Sequence, residues 1–440
     1  MGDGNRRFCT FSSNSIMSND TYTNPLPHGR GSEGAGRGSE EHGRGGQSEG
    51  KLGRLLQLRI LVPFIILFAF ALDVGSRVAV APARLAFRGW EAATSSTATQ
   101  GPFTPNLVYY NERSYGDLAN LGNLPSIRQY HPELFTTDSW GFRITPAAEK
   151  LPVSILIFGD SFTGGAGLSD EDTLTSQVST LGGVGAYNGG NVFGSDCWPV
   201  VETLIGRFKL KNRLIVYQYS EGYDIPEPDA GASEVGTRVI RRVLSRDSSF
   251  YEFLRSVRRL YSYSPLQVLL SRRLALIQDD VWLPNIAARG LALLQLRNGQ
   301  RFAFIRSDIA DFEKSRTADI DFFVKLQLKV RSTGNELLVI FVPSKYNVYY
   351  PLLDGPYKPA KESPYLNEVE KKLSAAHIPV LDPTAKLREQ AAALLPDGKY
   401  NYRIDDTHWN AAGVRTVAKA IIAFQGKSPA ARDQTPLSGK

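Results

Sequence analysis

The sequence predicts a three-layer α/β fold, in which helices cover both faces of a parallel sheet. The short apolar runs at 153–158, Leu214–Ser220 and Glu336–Val342 lack the full polar alternation of half-buried strands, as expected of central parallel strands. The amphipathic stretch at 318–332, closed by Gly334, predicts the helix that precedes the third strand. This succession of strands and helices indicates an α/β domain.

Two short motifs lie where such a sheet carries its chemistry. FGDSFTGG at 158–165 puts Ser161 at the point where the first strand ends and a helix begins. DDTHWN at 405–410 puts His408 on a loop before AAGVRTVAKAIIAF, whose apolar residues recur at helical spacing. Because open α/β sheets bind ligands at the carboxyl ends of their strands, we expect the two loops to meet there.

Ser161, His408 and a neighbouring aspartate together predict nucleophilic catalysis by serine. A serine hydroxyl is a weak nucleophile at neutral pH, and an imidazole near its ordinary pKa can take the hydroxyl proton and later return it. A carboxylate must then hold the imidazole in the required tautomer and stabilise the imidazolium. Asp405 and Asp406 are both close enough in sequence to do so.

These residues resemble the SGNH (GDSL-like) hydrolase superfamily and, within it, the alginate O-acetyltransferase-like branch that carries a DxHW motif. The likeness covers about residues 135–425. DSWGFR at 138–143 is similar to the segment before the first strand in many membrane-anchored members. VPSKYNVYY at 342–350 is similar to a strand followed by Pro, Lys and Tyr in the branch. The resemblance implies a flavodoxin-like α/β/α fold and an acyl-serine intermediate.

The resemblance leaves the acid of the triad open between two neighbours. The wider superfamily places the acid three residues before the histidine, which selects Asp405. The DxHW branch places it two residues before, which selects Asp406. We favour Asp406 and expect Asp405 to cap the following turn.

The tetrahedral intermediate also needs hydrogen-bond donors for its oxyanion, and the backbone N–H of Ser161 is one candidate. Gly190 matches the glycine of the superfamily's second block, and Asn191 beside it offers a side-chain amide. The NGG sequence is equally a signal for a plain tight turn. The asparagine usual in the third block is missing from YSEGYD at 219–224, which leaves a third donor unassigned.

Three further residues are candidates for contacts with the substrate. Glu221 matches a glutamate that the acetyltransferase-like branch places in its third block. Lys345 and Tyr349 belong to the VPSKYNVYY segment. A tyrosine ring can stack on a sugar, although loop tyrosines more often pack onto their own domain.

Residues 1–52 predict a disordered tail, and 53–77 predict a transmembrane anchor. Gly, Ser, Asn, Arg and Glu dominate the tail, which cannot bury enough apolar surface to fold. The apolar stretch reaches about 20 residues if it is extended back to Leu55, the length that crosses a bilayer. A signal peptide or a buried helix is the alternative, but a long polar stretch before a signal peptide is unusual. Lys51, Arg54 and Arg59, before its densest apolar part, favour a cytoplasmic N terminus, but Arg77, Arg84 and Arg88 follow it, so the charge signal is weakly directional.

The rest of the chain divides into a linker and lead-in segment at 78–150, a catalytic domain at 151–425 and a flexible C terminus at 426–440. Within the catalytic domain, about 225–315 is too long for an ordinary connection and predicts a mainly helical insertion that shapes the substrate cleft. Asn298 and Gly299, in LLQLRNGQRFAFI near its end, predict a β-hairpin.

Charge and motif content exclude several functional classes. The formal net charge is +7 and arginines cluster in the insertion, but no nucleic-acid-binding motif accompanies them. An Arg-rich helical face is more often simply solvated; if the patch is functional, an anionic glycan or lipid head groups are better partners for it. The sequence has no CxxC or HxxxH cluster and no GxxxxGK[ST] loop, so we expect neither a metal nor another cofactor.

The sequence therefore predicts an O-acetyltransferase or O-acetylesterase that acts on an extracytoplasmic polysaccharide through an acyl-serine. We expect a single-pass protein of the inner (cytoplasmic) membrane, with its catalytic domain outside the cytoplasm. Its expected partners are an acylated or acyl-accepting polysaccharide, other membrane proteins of polysaccharide export or acetylation, and the bilayer, without nucleic acid. The alternatives are a lipid or small-ester esterase and an inactive glycan-binding assembly protein.

Overall fold

The computed structural model describes residues 48–79, 88–94, 100–122, 124–194, 197–221, 266, 290–312, 319–355 and 363–426. The predicted tail before residue 48, most of the predicted insertion and the C terminus after residue 426 lie outside the described residues. The chain divides into two compact units, of which one contains the sheet and the other contains the first helix.

The strands are β1 (Val108–Ser114), β2 (His131–Thr136), β3 (Val153–Gly159), β4 (Gly185–Gly190), β5 (Leu214–Ser220), β6 (Leu291–Gln295), β7 (Arg301–Ile305), β8 (Glu336–Val342) and β9 (Val380–Leu381). The α-helices are α1 (Ser48–Ala79), α2 (Gly89–Ala93), α3 (Asp117–Leu121), α4 (Ser161–Gly164), α5 (Leu174–Gly182), α6 (Trp198–Phe208), α7 (Arg306–Phe312), α8 (Asp321–Ser332), α9 (Lys345–Tyr349), α10 (Tyr365–Ala375), α11 (Thr384–Leu394) and α12 (Ala411–Gln425).

A parallel sheet of five strands, in the order β4-β3-β5-β8-β9, forms the centre of the sheet-containing unit. Its strands β3, β5 and β8 coincide with the three predicted apolar runs, and α8 lies on the stretch predicted to be helical, so these predictions are confirmed. The chain leaves β3 toward β4 on one side and returns to β5 on the other. The carboxyl end of β3 is therefore the point where the strand order reverses, the usual place for a site in such sheets.

Helices cover both faces of this sheet. Alternate residues of a strand point to opposite faces. Ile155 and Ile157 of β3 join a core cluster that includes residues of α5, α11 and α12. Leu156 and Phe158 join a second cluster with residues of α6, α8 and α10. The mixed α/β class with a parallel sheet, as predicted from the sequence, is confirmed.

The segment predicted as linker and lead-in is folded where the structure describes it. Its strands β1 and β2 form an antiparallel pair, and the short helix α3 lies between them in sequence. Strands β6 and β7 form the hairpin predicted at Asn298 and Gly299, and Gly299 has the positive φ of 85° that such a turn favours.

Helix α1 includes the stretch predicted to be an anchor, with Pro63 inside it. From residue 61 onward its large apolar side chains are exposed, among them Phe64, Leu67 and Phe70. Within the part of the chain that the structure describes, no helix is long and apolar enough to cross a membrane.

Arg143, from the DSWGFR motif, connects the lead-in segment to the loop after β3. Its guanidinium is buried, and its Nε lies 2.9 Å from Oδ1 of Asp170. The same group donates to the carbonyl oxygens of Gly164 (3.0 Å) and Leu134 (3.0 Å). A planar group with several donors can thus hold β2 and the end of α4 together.

Replacing Arg143 by Ala should destabilise the fold strongly, because Asp170 and several carbonyl groups would be left buried without their donor. We expect a loss of about 3–5 kcal/mol in the free energy of unfolding, measured by urea denaturation. Arg301 on β7 is exposed, so Arg301→Ala should stay within about 0.5 kcal/mol of the wild type. Equal stabilities of the two variants would contradict this role of Arg143.

Candidate active site

Ser161 is the first residue of α4 and is separated from the end of β3 by Asp160 alone. Asp160 caps this short helix by accepting a hydrogen bond from the backbone N–H of Phe162 (2.8 Å). Gln218 of the neighbouring strand β5 accepts from the backbone N–H of Asp160 (3.1 Å) and from the hydroxyl of Thr163 (3.0 Å). The turn that presents Ser161 is therefore held from both sides, which fixes the position of its hydroxyl.

His408 and Asp406 complete a hydrogen-bonded triad with Ser161. Oγ of Ser161 lies 2.8 Å from Nε2 of His408, and Nδ1 of His408 lies 2.6 Å from Oδ1 of Asp406. The backbone N–H of His408 donates to the same Oδ1 at 2.9 Å. Nucleophile, base and orienting carboxylate thus have the geometry that nucleophilic catalysis requires.

The electrostatics of the triad suit a base that becomes cationic. Burial by itself lowers the pKa of His408, but Asp406, Asp117 and Asp160 raise it above its ordinary value. Burial by itself raises the pKa of Asp406, but the charge and hydrogen bonds of His408 hold it well below its ordinary value. Asp406 therefore stays ionised and stabilises the imidazolium that forms when Ser161 is deprotonated.

Asp405 faces away from the histidine. Its Oδ2 accepts hydrogen bonds from the backbone N–H groups of Gly116 (2.9 Å) and Gln129 (2.8 Å), both in the lead-in segment. This close approach requires glycine at position 116, because a Cβ there would lie 2.0 Å from the carbonyl oxygen of Asp405. The expectation that Asp405 caps the following turn is wrong, since its carboxylate binds the lead-in segment.

The predicted oxyanion donors differ in their surroundings. Among the described residues, the backbone N–H of Ser161 meets no acceptor, as a donor awaiting an oxyanion should. The side chain of Asn191 is partly exposed and makes no hydrogen bond within the same ranges. Gly190 does not fit the role, because its N–H donates to Oδ1 of Asn188 at 2.8 Å. A Cβ at Gly190 would lie 2.3 Å from Cα of Gly164, so close packing requires the glycine.

The candidates for substrate contact are buried and engaged with the protein. The ammonium of Lys345 donates to the carbonyl oxygens of Ala303 (2.8 Å), Ile404 (3.0 Å) and Asp406 (3.0 Å), and burial lowers its pKa to about 7. All three N–H groups of the ammonium are used, so the expectation that Lys345 binds substrate is wrong. Its contacts hold the loop that carries Asp406.

Glu221 and Tyr349 are likewise structural. The carboxylate of Glu221 accepts hydrogen bonds from the backbone N–H of Ser344 and from Nδ2 of Asn347, both at 2.8 Å. Tyr349 is fully buried, and its hydroxyl donates to Oδ1 of Asn401 at 2.8 Å. Neither side chain is placed to bind a polysaccharide, because both are enclosed by their own domain.

Asp117 is a residue of the site that sequence reasoning missed. One ligand atom each of Asp117, Asp406 and His408 lies within 4.8 Å of the others, a grouping that could hold a cation. The 2.6 Å distance between His408 and Asp406 identifies a hydrogen bond, in which a proton occupies the ring nitrogen that a cation would need. The only signal in the sequence was an aspartate after glycine in SYGDLAN, which is ordinary for a helix start.

Comparisons with known proteins agree with the motifs. Residues 306–437 match the model of a family described as the SGNH hydrolase-like domain of acetyltransferase AlgX. The matched range contains Asp406 and His408 and begins after Ser161. No protein of curated function matches the chain. Over residues 306–437, the match confirms the resemblance to the AlgX-like branch of the SGNH hydrolases.

Two solved structures are also similar to this chain. One, titled a carbohydrate acetylesterase family member from Sinorhizobium meliloti, is 13% identical, with 62% of this chain and 96% of that chain covered and a TM-score of 0.25. The other is 15% identical, with 63% and 99% covered and a TM-score of 0.28. At these TM-scores neither structure adds to the assignment of fold or function.

Replacing Asp406 by Asn should lower kcat on an activated acetyl ester by on the order of 10⁴-fold, because the imidazole loses its orienting anion. Asp405→Asn should cost far less, since that carboxylate binds only backbone groups. Steady-state kinetics of both variants tests the assignment. A larger loss in Asp405→Asn would transfer the triad role to Asp405.

Proposed function

Because residues 306–437 match the SGNH hydrolase-like domain of acetyltransferase AlgX, we propose that the chain is a serine-dependent acyl-ester enzyme. We propose further that it transfers or removes an acetyl group on an extracytoplasmic polysaccharide. The observation that carries the proposal is the pair of distances in the triad, 2.8 Å from Ser161 to His408 and 2.6 Å from His408 to Asp406. Such a continuous set of hydrogen bonds supports an active enzyme over an inactive binding protein.

In the proposed mechanism, Oγ of Ser161 attacks the carbonyl carbon of an acyl ester while Nε2 of His408 takes the hydroxyl proton. The N–H of Ser161 and the amide of Asn191 are the proposed donors to the oxyanion. Collapse of the intermediate breaks the bond to the leaving alcohol, which receives the proton from His408. The acyl group then remains on Ser161 as an ester.

The second half of the reaction decides between transferase and hydrolase. His408 now takes a proton from the acceptor, which attacks the acyl carbon; the bond to Oγ of Ser161 then breaks, and His408 returns the proton to Oγ. If water is the acceptor, the products are a free acid and the enzyme. If a sugar hydroxyl is the acceptor, the acetyl group moves to the sugar. The description of the matched family as an acetyltransferase supports the second course.

The proposed substrate is an anionic polysaccharide that carries or accepts acetyl groups. The net charge of +7 and the sequence pI of about 9.2 support a negatively charged partner. An acceptor bound over Ser161 gains from proximity and orientation, so it can compete with water despite the concentration of water. Other membrane proteins of polysaccharide export or acetylation are proposed as further partners.

We also propose that the whole stretch at 53–77, of which the structure describes the side chains of only 61–76, anchors the protein in the inner membrane and leaves the catalytic domain outside the cytoplasm. The support is the apolar stretch within α1, whose side chains Phe64, Leu67 and Phe70 are between 65% and 67% exposed. Exposed apolar side chains in such a run favour burial in lipid. Lys51, Arg54 and Arg59 lie before the densest apolar part, at 60–72, and favour a cytoplasmic N terminus.

Purified protein should react covalently with a serine-directed fluorophosphonate at Ser161, because His408 activates that hydroxyl. Given an acetyl donor and an acidic oligosaccharide, it should also yield acetylated sugar, detected by mass spectrometry. The yield should fall as added salt screens the attraction between protein and sugar. Ser161→Ala should abolish both reactions.

Ser332→Ala is the matched control, since Ser332 is exposed on α8 and its hydroxyl donates only to its own helix. This variant should be labelled like the wild type. Labelling with release of free acetate alone, across a broad panel of acceptors, would make the protein an esterase. A wild-type protein that is not labelled would favour the inactive glycan-binding assembly protein.

The proposed topology predicts that a reporter fused after Lys440 is active only outside the cytoplasm and that the full-length protein resists carbonate extraction. The physical reason is that an apolar helix in lipid cannot be removed by high pH, whereas electrostatic attachment can. A reporter that is active in the cytoplasm would place the triad on the side without the proposed substrate.

A further inference from the structure

The lead-in segment brings a second carboxylate to the triad histidine. Asp117 is the first residue of α3, and Thr407, with which it is hydrogen-bonded, is 290 residues later in the chain. We propose that Asp117 is a positioning residue of the site, which holds Thr407 in place and adds negative charge beside Nδ1 of His408 to stabilise the imidazolium. This inference rests on the proposed function of Ser161 and His408.

The contacts of Asp117 are directed at the catalytic loop. Oδ1 accepts a hydrogen bond from the backbone N–H of Thr407 (2.8 Å), and Oδ2 accepts one from its hydroxyl (2.7 Å). The backbone N–H of Asp117 donates to Oδ2 of Asp406 at 3.1 Å. Asp406 is thus held through Oδ2 by α3 and through Oδ1 by His408, so its carboxylate cannot rotate without breaking a bond on each side.

An ordinary helix-capping role does not account for these contacts. Gly116 occupies the cap position of α3, and no side chain caps that helix. The carboxylate of Asp117 instead accepts hydrogen bonds from the backbone N–H and the hydroxyl of Thr407, outside its own helix. Helix capping alone would direct it to the backbone N–H groups of the first turn.

The charge of Asp117 is close enough to act on the histidine. Oδ2 of Asp117 lies 3.9 Å from Nδ1 of His408; the histidine side chain is 9% exposed and the aspartate side chain 21% exposed. The other charged groups that act on the pKa of His408 are Asp406, from its own loop, and Asp160, from the turn after β3. Arg88 also lies close to Asp117, with NH1 at 4.0 Å from the same Oδ2.

Asp117 ionises closer to neutral pH than an ordinary aspartate does. Burial, and next the charge of Asp406, raise its pKa to about 6, while His408 and Arg88 oppose the rise. Above about pH 6 it is therefore ionised, and its charge raises the pKa of His408. Removing that charge should make the imidazole lose its proton at a lower pH.

The first test is the titration of His408, followed through its Hε1 signal in the NMR spectrum. We expect the pKa of His408 to be lower in Asp117→Asn than in the wild type. The matched control is Asp321→Asn, because Asp321 is also the first residue of a helix, α8, and is exposed. In Asp321→Asn, the pKa of His408 should equal that of the wild type, because Asp321 is not among the groups that act on His408.

The second test is the pH dependence of kcat/KM on an activated acetyl ester. The base must be neutral, so activity rises with pH through the pKa of His408, and this limb should move to lower pH in Asp117→Asn. The maximal kcat should fall on the order of 10-fold, because the imidazolium is less stabilised, while KM changes little. A purely structural residue would lower the yield of active protein without moving the limb.

Asp117→Ser keeps a hydroxyl near Thr407 and serves as a second neutral variant if Asp117→Asn does not fold; Asp117→Glu should restore the wild-type titration. An unchanged pKa of His408 in a folded neutral variant overturns the inference, even if the wild type is labelled at Ser161. Because the NMR titration needs no turnover, a wild type that is not labelled overturns the proposed function separately.

Discussion

The hydrogen bond between Nδ1 of His408 and Oδ1 of Asp406 is the interaction on which the rest of the site depends. It assigns the proton to Nδ1 and leaves Nε2 free to accept the proton of Ser161, 2.8 Å away. The carboxylate must be ionised for this purpose, although it is buried, and its low pKa shows that the histidine compensates for the lost hydration. A neutral partner in that position would leave the imidazole without orientation or charge stabilisation.

The surroundings of Asp406 serve to keep this bond in place. Lys345 holds the backbone of the loop through the carbonyl oxygens of Ile404 and Asp406, and Asp405 ties the same loop to the lead-in segment. Adjacent residues in an irregular loop can direct their side chains to opposite sides, so Asp405 and Asp406 have different tasks. Arg143 acts similarly at the other loop, where it connects the lead-in segment to the end of α4.

Much of the sheet and part of the site could be predicted, for identifiable reasons. The strands β3, β5 and β8 are buried on both faces, and their continuous apolar composition is visible without knowledge of their partners. Ser161 and His408 were identified from motifs with a known chemical purpose. Lys345 was misread, because a lysine in a conspicuous motif suggests a free cation, whereas burial among three carbonyl groups has no local signature.

The sequence by itself determined the α/β class, the positions of three central strands along the chain and the identity of nucleophile and base. Each of these depends on local composition or on short motifs. Only the tertiary structure decided that Asp406 rather than Asp405 meets the histidine, and that Gly190 packs against α4 rather than donating its N–H freely. It also decided that Asp117 stands beside them. These outcomes depend on contacts between segments as far as 290 residues apart, whose geometry no local pattern encodes.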